Sequence, residues 1–182
     1  MNDSFARSVA SRLNHLGFET RISVKKVGGQ RIVNSGGEDL GDIDVLAVDS
    51  KSRSIVAVEA KDFEVARTPA EISNEVEKLF SGSKHKKPTV ELHSRRVGWL
   101  KQHLDSAITS LGQVGAASDW RVVGVIVTSD PLITPLVRSS PIAVVPFADL
   151  DLDSLNLKDS SRQRRKASRS RNGRRGTRPA TK

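Results

Sequence analysis

The chain of 182 residues contains no cysteine, which excludes both a disulfide framework and a zinc site built on thiolates. Long apolar runs are also missing. The longest falls far short of the roughly 20 residues that span a bilayer, and the opening MNDSFARSVASRL lacks the uninterrupted apolar core of a secretory signal. No GxSxG elbow and no phosphate-binding loop occurs, and Gly28-Gly29 reads as a turn. The four histidines, His15, His85, His93 and His103, share no ligand spacing on one element and read as surface or helix-face residues. What is left is the expectation of a soluble, cytoplasmic protein with one domain large enough to bury a core.

Charge, by contrast, is plentiful and uneven. The formal net charge is +9; residues 158–182 hold eleven of the thirty Lys and Arg and one of the twenty-one acidic residues, so the rest of the chain carries nineteen basic against twenty acidic side chains. All of the excess lies in KDSSRQRRKASRSRNGRRGTRPATK, whose only hydrophobic residues are two alanines. Such a segment cannot bury enough apolar area to offset the entropy of ordering it, so it is expected to be disordered. Runs of this kind neutralise the phosphates of DNA or, as second choice, RNA; an anionic membrane surface or plain solubility would give the same composition. The expected phosphate contacts are Arg162, Arg164, Arg165, Lys166, Arg169, Arg171, Arg174 and Arg175. DNA is the expected partner, a membrane is not, and homodimer formation is left open. The folded body is expected to span residues 1–152 and the tail residues 153–182.

Within the body, Phe5, Val9, Leu13 and Leu16 step along one helical stripe, and Gly17 is placed to end that helix. FETRISVKKVGGQRIV alternates about Gly28-Gly29 as a half-wet hairpin. Ile43–Val48 and Ile55–Ala60 are apolar on both faces, as strands sandwiched between helices require. Thr68-Pro69-Ala70-Glu71 combines a capping box with proline at the first helical position. A longer helix is expected from Val97, Leu100, Leu104, Ile108 and Leu111, then strands WRVVGVIVTS and PIAVVPF, with Trp99 and Trp120 in the core. Helix, three strands, two helices and two strands predict an α/β fold, a central mixed β-sheet flanked by helices.

The two apolar strands also carry charges. If DSKSRS closes an antiparallel hairpin with Val48 opposite Ile55, paired numbers sum to 103: Asp44 then faces Glu59 and Asp42 faces Lys61. Directly opposed residues have Cβ atoms about 5 Å apart, and alternation puts Glu59 and Lys61 on one face. Two crowded carboxylates repel unless one takes a proton or a cation lies between them, so removing either should relieve repulsion. Oxygen ligands without cysteine favour Mg²⁺ or Mn²⁺ over zinc. The plainer interpretation is a salt bridge of Lys61 with Glu59 or Asp42 at a solvated sheet end.

Asp44 followed fifteen residues later by Glu59-x-Lys61 on the neighbouring strand resembles the PD-(D/E)xK phosphodiesterase superfamily, and GDIDVLAV with IVAVEAK looks most like its DNA-repair and Holliday-junction-resolvase members. The resemblance covers residues 1 to about 150. It implies a restriction-endonuclease-like αβββαβ core, Asp44 and Glu59 as metal ligands, Lys61 as the catalytic lysine, and Mg²⁺- or Mn²⁺-dependent endonuclease activity on DNA. Many members have a glutamate in the first helix; Ser4–Leu16 has no acidic residue, and Glu19, Glu38 or Asp42 are the substitutes at hand. A catalytically inactive nucleic-acid-binding module on the same fold is the alternative. Asp49-x-Lys51 is a second acid-x-Lys match, but it lies in the turn. Lys84, Lys86 and Lys87 are further phosphate candidates, and Glu71, Glu75 and Lys78 share a helix face that follows the Lys61 strand.

Overall fold

The computed structural model describes residues 3–84 and 86–157. The first apolar stripe forms helix α1 over Asp3–His15, with Val9 and Leu13 fully buried, and Gly17 ends it at φ 96°, a conformation that costs a side-chain-bearing residue far more than glycine. Five strands then build one mixed sheet: β1 (Glu19–Val24), β4 (Ile43–Asp49), β5 (Ser54–Lys61), β6 (Arg121–Thr128) and β7 (Ala143–Pro146), side by side in that order. The first three are antiparallel neighbours, whereas β5, β6 and β7 run parallel. The hairpin expected around Gly28-Gly29 shrinks to β2 (Lys26–Val27) against β3 (Gln30–Arg31), because β1 pairs with β4 instead.

Helices cover both faces. On one side α1 packs on Val45, Ala47, Val56 and Val58. On the other, α3 (Thr89–Gln102) and α4 (Leu104–Ser110) cover Leu46, Val48, Ile55 and Ala57. Alternation along β4 and β5 thus divides one pair of strands between two cores, the reason both faces are apolar. Gly124 on β6 sets how closely α3 approaches: a Cβ there would stand 2.6 Å from Val97 Cγ2. Trp99 and Trp120 are buried in this second core, as expected.

Two expectations need revision. The single long helix divides at His103, which leaves helical geometry and stacks on Trp99 with 4.1 Å between ring centroids; the chain turns there, so that α4 reaches the β2–β3 ribbon. The packed body also continues past residue 152, because Leu155 and Leu157 insert into the core beneath α1. Residues 158–182, with all the expected phosphate-binding arginines, lie outside the described residues. Helix α2 (Pro69–Val76) starts at its capping box, Thr68 N–H donating to Glu71 Oε2 at 2.9 Å and Glu71 N–H to Thr68 Oγ1 at 3.3 Å. Among the described residues no helix is long and apolar enough to cross a membrane.

Candidate functional site

The β4–β5 hairpin adopts the register in which paired numbers sum to 103, from Asp49 opposite Ser54 to Val45 opposite Val58. The ladder ends at that pair; Asp44 and Glu59 are the next residues along the two strands, close enough for the Glu59 charge to act on Asp44. Asp44 Oδ2 accepts the Ala60 N–H at 2.8 Å, so its carboxylate lies against the β5 backbone. Both acids are buried, 4 % and 5 % exposed. Their surroundings differ. Burial, and then the Glu59 charge, pushes the Asp44 carboxyl up to about 6. Burial acts on Glu59 in the same direction, but the Arg96 guanidinium, followed by Lys61, outweighs it and holds that carboxyl below its ordinary value.

Arg96 was not legible as a site residue. It lies on the α3 face that also presents Val90, His93, Val97 and Leu100, all buried against the sheet. Its Nη1 hydrogen-bonds Glu59 Oε2, while its Nε donates to the Leu40 carbonyl at 2.6 Å. Lys61 Nζ meets the other carboxylate oxygen, Oε1, at 2.7 Å. His93, expected on the surface or on a helix face, lies on the α3 face and is wholly buried: Nε2–H donates to the Ala57 carbonyl at 3.0 Å, which leaves the Nδ1 lone pair 3.9 Å from Glu59 Oε2 with no hydrogen-bond partner among the described residues. Desolvation lowers its pKa to about 4, so the ring is neutral at pH 7. The signal that would have found both residues is the i, i+3, i+7, i+10 spacing of Val90, His93, Val97 and Leu100, a sheet-facing stripe with charge set into it.

The other candidates fall in different places. Asp42 is close enough to raise Asp44 further by its charge. Glu19 pairs with Val48 at the opposite end of the β1–β4 ladder. Glu38 accepts from Lys87 Nζ at 2.7 Å, which holds its carboxyl below the ordinary value and ties both residues up on the surface. Glu75 is buried and accepts both the Thr134 N–H, at 3.1 Å, and the Thr134 hydroxyl. Beyond Lys61 the chain lines a cavity of about 330 Å³ with Asp62, Phe63, Glu71, Glu75 and Lys78. His15 hydrogen-bonds Ser11 on the surface of α1, and His85 lies outside the described residues.

Among the described residues no group of three or more His, Cys, Asp or Glu side chains gathers as a cation site. Asp44 and Glu59 form a two-carboxylate set, and Mg²⁺ is commonly held by one or two carboxylates together with water and substrate phosphate. Burial first, and the Glu59 charge after it, raises the Asp44 carboxyl, and a cation beside that carboxylate would offset both. A hard divalent cation therefore fits these residues. No family model, curated protein or solved structure matches the chain.

Proposed function

We propose that residues 3–157 form a PD-(D/E)xK-type nuclease domain that hydrolyses phosphodiester bonds in DNA with Mg²⁺ or Mn²⁺, and that the basic C-terminal segment adds sequence-independent affinity. The observation that carries this proposal is the end of the β4–β5 ladder, where Asp44, strained by burial and by Glu59, lies beside Glu59-x-Lys61. Support comes also from the order of α1, the β1–β4–β5 meander, a covering helix and a parallel β6, which agrees with a restriction-endonuclease-like core.

In this function Asp44 and Glu59 would hold the cation, which when bound would polarise a phosphoryl oxygen and lower the pKa of water. Lys61, more exposed than either acid, is placed to orient the attacking water and to offset charge on the transition state. Arg96 keeps Glu59 ionised, and the Arg96–Leu40 bond fixes the loop that delivers Asp42 and Asp44. The non-catalytic alternative draws on one observation: both oxygens of Glu59 are already engaged by Lys61 and Arg96, which is how a structural ion pair looks.

The two are separated by incubating the full chain with linear, nicked and branched DNAs and Mg²⁺ or Mn²⁺, with Glu59→Gln as control. Metal-dependent cleavage that EDTA abolishes and Glu59→Gln lacks is the expected result. Equal cleavage by both proteins would assign the activity to a contaminant, and none by either would leave the binding module.

A further inference from the structure

Glu59 is held by two clamps of unequal mobility. Arg96 comes from inside the core: its side chain is 10 % exposed, it is bonded to the Leu40 carbonyl, and its Nη2 stands 2.9 Å from where a Cβ on Gly41 would be. Gly41, at φ 79°, leaves the space that the guanidinium fills. Withdrawing Arg96 would strand a buried charge. Lys61 grips Oε1 from the rim, with 35 % of its side chain exposed, so swinging it away delivers an ammonium to water or to a nearby anion.

Resting on the nuclease assignment above, we propose that Lys61 is the exchangeable clamp and couples divalent-cation binding to phosphodiester binding. A phosphate oxygen draws Nζ away from Glu59 Oε1, and that oxygen becomes a ligand for the cation. Arg96 acts as the positioning residue that keeps Oε2 in place during the exchange. A pair of carboxylates is a short ligand list, which substrate phosphate completes. Because the coupling is a free energy shared by two binding events, phosphodiester tightens cation binding by the same factor as cation tightens phosphodiester binding.

The test is calorimetric titration of Mn²⁺ into the full chain, with and without a short DNA duplex, using Glu59→Gln plus duplex as the blank for ions held by the DNA. The wild type should bind Mn²⁺ about tenfold more tightly with duplex. Lys61→Met should already bind about tenfold more tightly than wild type without it, and should gain less than the wild type does when duplex is added, only what direct ligation by a phosphate oxygen gives; Lys61→Gln should behave alike. Wild-type coupling retained in Lys61→Met, or Mn²⁺ binding that duplex and Lys61→Met both leave unchanged, would overturn the clamp while leaving the Asp44–Glu59 centre intact. No Mn²⁺ binding in any protein would remove the nuclease function as well.

Discussion

The two ends of the β4–β5 hairpin carry the same short text, an acid followed two residues later by lysine, in opposite circumstances. At the turn, Asp49 is half-exposed, and its carboxylate is satisfied by its own loop: Lys51 N–H donates to Oδ1 at 2.9 Å and Ser52 N–H to Oδ2 at 3.3 Å. That is an Asx turn, a local device for reversing the chain. At the open end, Glu59 is buried and depends on Lys61, on Arg96 from another element, and on the balance of charge with Asp44 across the ladder. Identical spacing has a chemical consequence only where burial and register force unlike strands to share charge.

Breaking the open end should have the largest effect. Glu59→Ala leaves the Arg96 guanidinium buried without its carboxylate and should destabilise by about 3–5 kcal/mol in urea unfolding. This reverses what two crowded carboxylates alone would suggest, because Arg96 and Lys61 more than balance Glu59. Asp44 behaves in the other sense. Asp44→Asn keeps an acceptor for the Ala60 N–H and removes the ill-compensated charge, so in EDTA at pH 7 it should gain about 1–2 kcal/mol. That gain should vanish near pH 4, where the wild-type carboxyl is itself protonated, and added Mn²⁺ should stabilise the wild type but not the variant.

The pH dependence sharpens the contrast. Asp44 is raised to about 6 in the folded protein, so its contribution makes stability fall as pH rises from about 4 to about 6. His93 is lowered to about 4 from an ordinary 6.5, so its contribution is complete above about 6.5 and is lost as pH falls towards 4. The two slopes oppose each other, and the metal-free wild type should be nearly flat across that window. Asp44→Asn should unmask the His93 slope, with stability dropping on acidification. At the turn, Asp49→Ala should cost only about 1 kcal/mol, the value of hydrogen bonds near water, and should leave Mn²⁺ affinity unchanged. Smallest of all is the effect on folding of ending the chain at Leu157, which should leave the unfolding midpoint in place while flattening the dependence of log K for duplex on log salt.

The register was readable because DSKSRS permits a short turn and the flanking β-branched residues leave one alignment that keeps both runs apolar. The capping box at Thr68 and the glycine stop at Gly17 were readable for the same kind of reason, local chemistry with one geometric solution. Arg96 and His93 were not, because both lie more than thirty residues from Glu59 and a charge on an amphipathic helix ordinarily marks its wet side. The stripe of Val90, Val97 and Leu100 in VELHSRRVGWL puts Arg96 nearer the sheet than Arg95, but nothing in it names the partner; the structure pairs Arg95 with Glu91 on the surface and sends Arg96 to Glu59. Leu155 and Leu157 were hidden by their place beside a segment whose only hydrophobic residues are two alanines.

The comparison between the two ends reduces to one side-by-side measurement: Mg²⁺-dependent cleavage of DNA by the wild type, Asp44→Asn and Asp49→Asn under identical conditions. Asp44→Asn should lose cleavage by at least about a hundredfold while remaining folded, and Asp49→Asn should cut at the wild-type rate. Cleavage that survives in Asp44→Asn would contradict the assignment of the β4–β5 open end as the catalytic centre.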